Sequence, residues 1–377
     1  MTKGSGFMER IGIICEYNPF HNGHLYHIKK IKSLYPDSLL ILVLNGYFLE
    51  RGEVSLVSKE EKTKIALEFG IDLVLELPVL YGTQSADIFA NTAITILNYF
   101  KVDKLIFGSE VNNISLLNKL VDEIENPNYQ NKVKELLGQG LNYPTALAKA
   151  ISLDFDFNHP NDLLAISYLK AIRKNQFNIT PISIKRTSAY HDLESKEQIV
   201  SASNIRNKIL KNEDISAYLP KKSQNALLPM NQELYFKLLK NKILTTPHLE
   251  EFLTVDEGIE NRLVEQMKNS YSLDEFIKNV KTKRYTYNKI CRMCTHILLG
   301  IRKKDNIEKL SYIKILGFSN RGQEYLKTIR EDINMQTQVD KNSIEYKLEL
   351  NAAILYDLLF NTNTYNFEIK NQPIQKL

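Results

Sequence analysis

Hydrophobic positions along the 377-residue chain fall into two regimes. In the first, short continuous apolar runs alternate with stretches of helical spacing. Residues 11–15, 39–44, 73–77, 105–107 and 180–185 read as five strands, each too short for a helix; the first four close on turn residues, and the fifth, Thr-Pro-Ile-Ser-Ile-Lys, alternates. The run at 39–44, Leu-Leu-Ile-Leu-Val-Leu, has no polar position, which predicts a strand covered on both faces. Between the strands, Leu25, Ile28 and Ile31 recur three apart, 59–69 and 84–99 carry apolar stripes, and 115–176 is mostly helical in pattern. Gly70 stops one helix and Pro78 closes the third strand. Strands alternating with helices predict an α/β fold, a Rossmann-like, doubly wound parallel sheet over 8–215. The charged stretch from Lys211 to Lys222 marks a boundary near Pro220. In the second regime, 216–377, helical spacings dominate, as in Leu234, Leu238 and Leu239 or Ile290, Met293, Ile297 and Leu298. No strand pattern is evident between 231 and 360, so an α-helical second domain is expected.

Composition narrows the class. The hydrophobic fraction of 43% and the charged fraction of 25% are ordinary for a globular chain, and the length suffices for two domains. No apolar run approaches a bilayer span and no secretory pattern opens the chain, so no membrane role is expected. Three cysteines fit a reducing cytoplasm better than a disulfide framework. Met1 to Phe7 reads as a cloning scar ahead of a native start at Met8. Net charge is only +5, so any nucleic-acid surface must be local. Nothing in the composition points to an obligate protein partner.

Candidate chemistry concentrates in one stretch, Ile14-Cys15-Glu16-Tyr17-Asn18-Pro19-Phe20-His21-Asn22-Gly23-His24-Leu25-Tyr26-His27. The first strand ends there, Asn18-Pro19 breaks it, and a helix begins after two histidines and a glycine. A helix N-terminus offers unpaired N–H groups and partial positive charge to phosphate. Gly23 leaves room for a ligand to approach the backbone. His21 and His24 can each aim a ring N–H at oxygens that gain charge during attack on an α-phosphorus. A plain polar turn and a zinc site are the alternatives, the second weakened by the lack of carboxylate or thiolate at ligand spacing.

His-X-Gly-His after a first strand resembles the signature of the nucleotidyltransferase superfamily, which shares its fold with class I aminoacyl-tRNA synthetases. The longer string Glu16 to His24 resembles the bacterial tRNA(Met) cytidine acetate ligases. Later segments extend that resemblance over most of the chain: Gly46 to Glu53, Phe107-Gly108-Ser109-Glu110, Gly140-Leu141-Asn142-Tyr143-Pro144 and Pro160-Asn161-Asp162-Leu163-Leu164. Ser201-Ala202-Ser203-Asn204-Ile205-Arg206 is similar to the superfamily's second phosphate-facing signature. The chain departs from the family at Leu44-Asn45-Gly46-Tyr47, where Met-Ser-Gly-Asn is expected.

The resemblance implies a nucleotidylyltransferase-type sheet that binds ATP through residues 14–27, Gly108, Asn161, Arg186, Ser201, Ser203 and Arg206, with His21, His24 and Arg186 catalytic. Each has a plainer alternative: Gly108 as a strand-to-loop glycine, Asn161 or Asp162 as a helix cap, Ser201 as another. Arg186, at the end of the fifth strand, could lay its planar fork on the α-phosphate or the attacking carboxylate. Arg51 reads equally as a phosphate contact or as an ion pair with Glu50 or Glu53. Tyr190-His191-Asp192 follows the fifth strand. Magnesium on the phosphates is expected, with no obvious protein ligand.

Within the second half, 278–304 holds nine basic residues and no acid. Lys281, Lys283, Arg284, Lys289 and Arg292 are the candidate RNA contacts, with Tyr285 and Tyr287 placed to stack on unpaired bases. A solvated helix face is the alternative. Cys291 and Cys294 form a lone Cys-X-X-Cys and are expected in the core. From the residues alone comes adenylyl transfer beside a basic helical domain. The resemblance adds acetate, acetyl-adenylate and the wobble cytidine of elongator tRNA(Met), whose N4-acetylation would make the protein a ligase. Two rivals stand beside it: a small-molecule adenylyltransferase and a non-catalytic RNA-binding protein.

Overall fold

Five runs predicted as strands form β1 (Arg10–Cys15), β2 (Leu39–Asn45), β3 (Leu73–Leu77), β4 (Lys104–Ser109) and β5 (Thr180–Lys185). The structure, a computed structural model, describes residues 8–141, 143–186, 199–307 and 309–376. The five strands are mutually parallel in the order β5-β4-β1-β2-β3. Chain order reverses between β1 and β4, so the crevice at their carboxyl ends is where an open α/β sheet takes its ligand.

Two further strands depart from the expectation of a purely helical second half. β6 (Ile315–Ser319) pairs antiparallel with β3, and β7 (Ile374–Lys376) pairs parallel with β6, making one seven-stranded mixed sheet. The pattern hides β6 because Gly317 sits in its middle. A Cβ there would lie 2.8 Å from the Ile374 carbonyl and 2.9 Å from Thr63 Cγ2, so close packing removes the side chain that would have signalled a strand.

Strand periodicity sorts β2 onto two cores. Leu39, Ile41 and Val43 face the helices Ala86–Tyr99 and Pro160–Lys174, while Leu40, Leu42 and Leu44 face Ile28, Ile31 and Ile65. The first core runs without a break into the second half, through Leu239, Ile290, Ile297 and Tyr356. Cys291 and Cys294 lie in it, and burial raises the pKa of both thiols.

A buried charge cluster ties the halves as well. Lys59 Nζ contacts Glu76 of β3, Glu349 at 2.8 Å and Glu368 at 2.7 Å; Lys314 joins Glu368 at 2.7 Å. Burial opposes the Lys59 ammonium, but the three carboxylates outweigh it and hold its pKa well above the usual value. Tyr47 donates to Glu368 at 2.9 Å. Nearby, Lys62 Nζ donates to the Glu16, Asn45 and Gly46 carbonyls at 3.0, 2.7 and 2.6 Å, fastening together the carboxyl ends of β1 and β2.

Candidate active site

A cavity of about 400 Å3 opens at the carboxyl ends of β1, β4 and β5. Its floor is the His21–His24 turn. His21 caps the helix Asn22–Leu34, its Nδ1 accepting the Gly23 N–H at 3.0 Å, while His24 Nδ1 accepts the His21 N–H at 3.2 Å. A ring nitrogen that accepts carries no hydrogen, so in the neutral ring the proton sits on Nε2. Burial, then Arg186 and Arg206, pushes His21 down to about 3. Burial, then His21 and Arg186, holds His24 well below the usual value, and burial lowers His27 to about 4. The three rings are therefore neutral at pH 7, and His21 and His24 each keep an Nε2–H as a donor. Gly23 is required first by its neighbour, since a Cβ would stand 2.7 Å from Cε1 of the His21 ring.

A second wall comes from the Pro160–Lys174 helix. Asn161 Nδ2 donates to Glu110 Oε1 at 2.5 Å, and its Oδ1 accepts from Arg186 at 3.4 Å, so both ends of the amide are fixed. Neither Asn161 nor Asp162 caps its own helix. His159 holds that position without a side-chain bond, and buried Asp162 instead accepts from Ser109 Oγ and the Glu110 and Val111 N–H groups at 2.5, 3.1 and 3.0 Å. Gly108 makes room for Arg186, whose Cγ would lie 3.3 Å from an added Cβ. Arg186 Nε, 3.8 Å from Glu110 Oε1, and His27 Nε2 are buried with no hydrogen-bond partner among the described residues.

The third wall is the start of the helix Ala202–Leu210. Ser201 caps it by accepting the Asn204 N–H at 3.1 Å. Arg206 donates to the Asn18 carbonyl at 3.0 Å and pairs with Glu53 at 3.0 Å. Glu53 belongs to the loop after β2, which also brings Glu50 and Arg51 to the cavity. That loop is clamped to the helix Tyr287–Leu299 of the second half. Arg292 pairs with Glu50 at 2.6 Å, Thr295 Oγ1 donates to the Gly52 carbonyl at 2.9 Å, and a Cβ on Gly52 would lie 2.4 Å from the Arg292 nitrogen.

Sixteen of the twenty residues expected at ATP line this cavity; Pro19, Phe20, Asn22 and Leu25 do not. Phe20 stacks on Phe69 and Asn22 donates to the Ala217 carbonyl. Asn45 and Tyr47, where the chain departs from the family pattern, are buried behind the loop and do not line it. Tyr190-His191-Asp192 lies outside the described residues. Sequence reasoning named Glu110 only as part of a segment, without the role of holding Asn161, and missed Asn288, which no local signal marks.

The basic run looks different in space. Acids from elsewhere meet it: Glu50 pairs with Arg292, Glu257 with Arg284, Asp256 with Lys303 and Glu251 with Arg302. Lys281 and Lys283 are exposed with no ion-pair partner among the described residues, and Lys289 lies over the Tyr285 ring. Tyr285 is 6% exposed and donates to the Asp256 carbonyl at 2.8 Å, so its ring is not presented for stacking.

Residues 8–372 match the profile of a family described as HIGH Nucleotidyl Transferase. The tRNA(Met) cytidine acetate ligase of Geobacillus sp. (strain WCH70) is 35% identical over 97% of this chain and 100% of its own. That of Mycoplasma mobile is 40% identical over 78% of this chain and 99% of its own. The crystal structure of Thermotoga maritima TmcAL superposes with a TM-score of 0.88 at 27% identity, covering 98% of this chain and 99% of that one. The same protein bound with alpha-thio ATP gives a TM-score of 0.85. A histidine-lined crevice at the switch point of a parallel sheet, matched nearly end to end in sequence and in structure, makes this chain a member of the tRNA(Met) cytidine acetate ligase family.

Proposed function

We propose that this protein is an ATP-dependent ligase that acetylates the wobble cytidine of elongator tRNA(Met). The observation that carries the reading is the convergence on one cavity of two neutral histidine donors, Arg186 and Arg206. A carboxylate oxygen of acetate attacks the α-phosphorus of ATP, the bond to the bridging oxygen breaks, and pyrophosphate leaves acetyl-adenylate behind. The exocyclic amine of the cytidine then attacks the acetyl carbon. The carbon–oxygen bond to AMP breaks, the amine's proton passes to water, and N4-acetylcytidine results. No protein nucleophile is needed. His21 and His24 donate through Nε2 to phosphate oxygens, Arg186 holds the α-phosphate and the incoming carboxylate, and Ser201, Ser203 and Arg206 hold the departing pyrophosphate. In this division of labour residues 8–215 hold the nucleotide and 216–377 deliver the RNA, through Lys281, Lys283 and Lys289.

The cavity does not suit a protein-held metal. Of the carboxylates that line it, Glu16 accepts from Asn45 and the Glu50 N–H, Glu50 pairs with Arg292, and Glu53 pairs with Arg206. Magnesium enters on ATP's own phosphates, and no step is assigned to it. No described helix is long and apolar enough to cross a membrane; the protein works in the cytoplasm, where its tRNA is. Incubation with labelled acetate, ATP and total tRNA tests the reading. The expected outcome is label in RNA with AMP released; label confined to a small molecule, or no turnover, overturns it.

A further inference from the structure

Among the described residues lining the cavity, Asn288 alone comes from beyond residue 206, and its side-chain amide has no partner among them. Beside it, Tyr287 is 47% exposed, unlike its buried neighbour Tyr285. Both stand at the first turn of the helix Tyr287–Leu299, which the Gly52, Thr295 and Arg292 contacts clamp against the cavity loop. Exposed Lys281 and Lys283 lie just ahead of that turn in the chain. Asn288 thus brings an open amide to the nucleotide cavity, and the residue before it, outside that lining, presents an exposed aromatic ring near the lysines in the chain.

We propose that Tyr287 and Asn288 form the subsite for the acceptor nucleobase, Tyr287 stacking on it and Asn288 hydrogen-bonding its Watson–Crick edge. This rests on the tRNA-acetylating reading above. The amine that reacts must stay free to attack, so a cytosine can be held only through N3 and O2, both acceptors. The Asn288 NH2 supplies donors for them. Partial burial first, then Cys291, Asp274 and Glu53, raises the Tyr287 hydroxyl's pKa, so the phenol stays neutral and does not repel the phosphate backbone. A planar neutral ring beside lysines is the usual platform for an unpaired base.

The test is steady-state acetyl transfer to transcribed tRNA(Met) by the unaltered protein, Tyr287→Ala, Tyr287→Phe and Asn288→Asp, with melting temperatures and ATP titrations alongside. Tyr287→Ala is expected to raise KM for tRNA about fivefold to a hundredfold, the scale of one stacked base, while KM for ATP moves far less. Tyr287→Phe, which keeps the ring, restores it. Asn288→Asp, which sets a carboxylate against two acceptors, lowers kcat/KM for tRNA about tenfold or more. A tRNA KM within twofold of the unaltered value in Tyr287→Ala overturns the subsite while leaving the ligase reading intact. Parallel losses of ATP affinity and melting temperature in both tyrosine variants overturn it too, in favour of a structural role. No transfer by the unaltered protein removes both.

Discussion

His21 and His24 each commit one ring nitrogen to the backbone and keep the other for the cavity, so a single substitution to alanine mixes two losses. His24→Ala removes an N-terminal cap bond, costing about 1 kcal/mol, together with the donor. His24→Asn separates them, because Oδ1 can still accept the His21 N–H while nothing reaches the Nε2 position. Acetate-dependent AMP release is expected to fall about 10²-fold or more in both, with the melting temperature kept only in the asparagine variant. Normal turnover by His24→Asn would reduce the motif to a cap. The same burial has a pH consequence. His21 is lowered to about 3 and His27 and His296 to about 4, each chiefly by burial, which also holds His24 well below the usual value. Below their unfolded pKa of about 6.5 the unfolded chain therefore binds more protons, and stability falls as pH falls. Glu349, raised to about 7 by burial and by Glu76, acts in the opposite sense over the same range. Four histidines against one carboxyl leave a net loss of stability as pH falls from about 6.5 towards about 4.5. Thermal unfolding across that range checks it; a melting temperature that rises on acidification would reverse the sign.

At the scale of elements, the five parallel strands were legible to within a residue or two at each end, because four of the runs are apolar and closed by Gly, Pro or Asn and the fifth alternates. β6 and β7 were not. A five-residue strand with a central glycine is set by the open edge of β3, a partner some 240 positions away, and no local pattern carries that information. The floor of the site was legible for the opposite reason, since the strand end, the turn and the helix cap are contiguous at 15–24. Asn288 was invisible because only the clamp between the 48–54 loop and the second half brings it to the cavity. That clamp has a sensitive point at Gly52, with φ +76° and the Cys291 carbonyl carbon 2.4 Å from where a Cβ would sit. Gly52→Ala is expected to lower the melting temperature by several degrees, through left-handed strain and a backbone clash, and to slow transfer to tRNA. An unshifted melting temperature would mean that the loop moves away at no cost.

At the scale of the whole molecule, an acid-free run in sequence is not a charge excess in space. Four of its nine basic residues are answered by acids from other segments. Reversing Arg292 would set a carboxylate against Glu50 and break the clamp, so it cannot report on RNA. Reversing Lys281, Lys283 and Lys289 to glutamate is the cleaner probe. Binding of tRNA is expected to weaken severely and the log–log salt slope to drop by roughly two to three units, one per lost phosphate contact. An unchanged slope would move the RNA surface elsewhere.

Lys59 is held by Glu76 from the first half and by Glu349 and Glu368 from the second, while β6 closes the edge of β3. In terms of descent, that ties the two parts into one unit of inheritance. A recombination that joined residues 8–215 to an unrelated RNA-binding tail would bury an ammonium with one carboxylate in place of three and leave a strand edge bare. Exchange at this junction therefore carries a cost set by the sheet itself, one that point substitution on the helical surface of the second part does not incur.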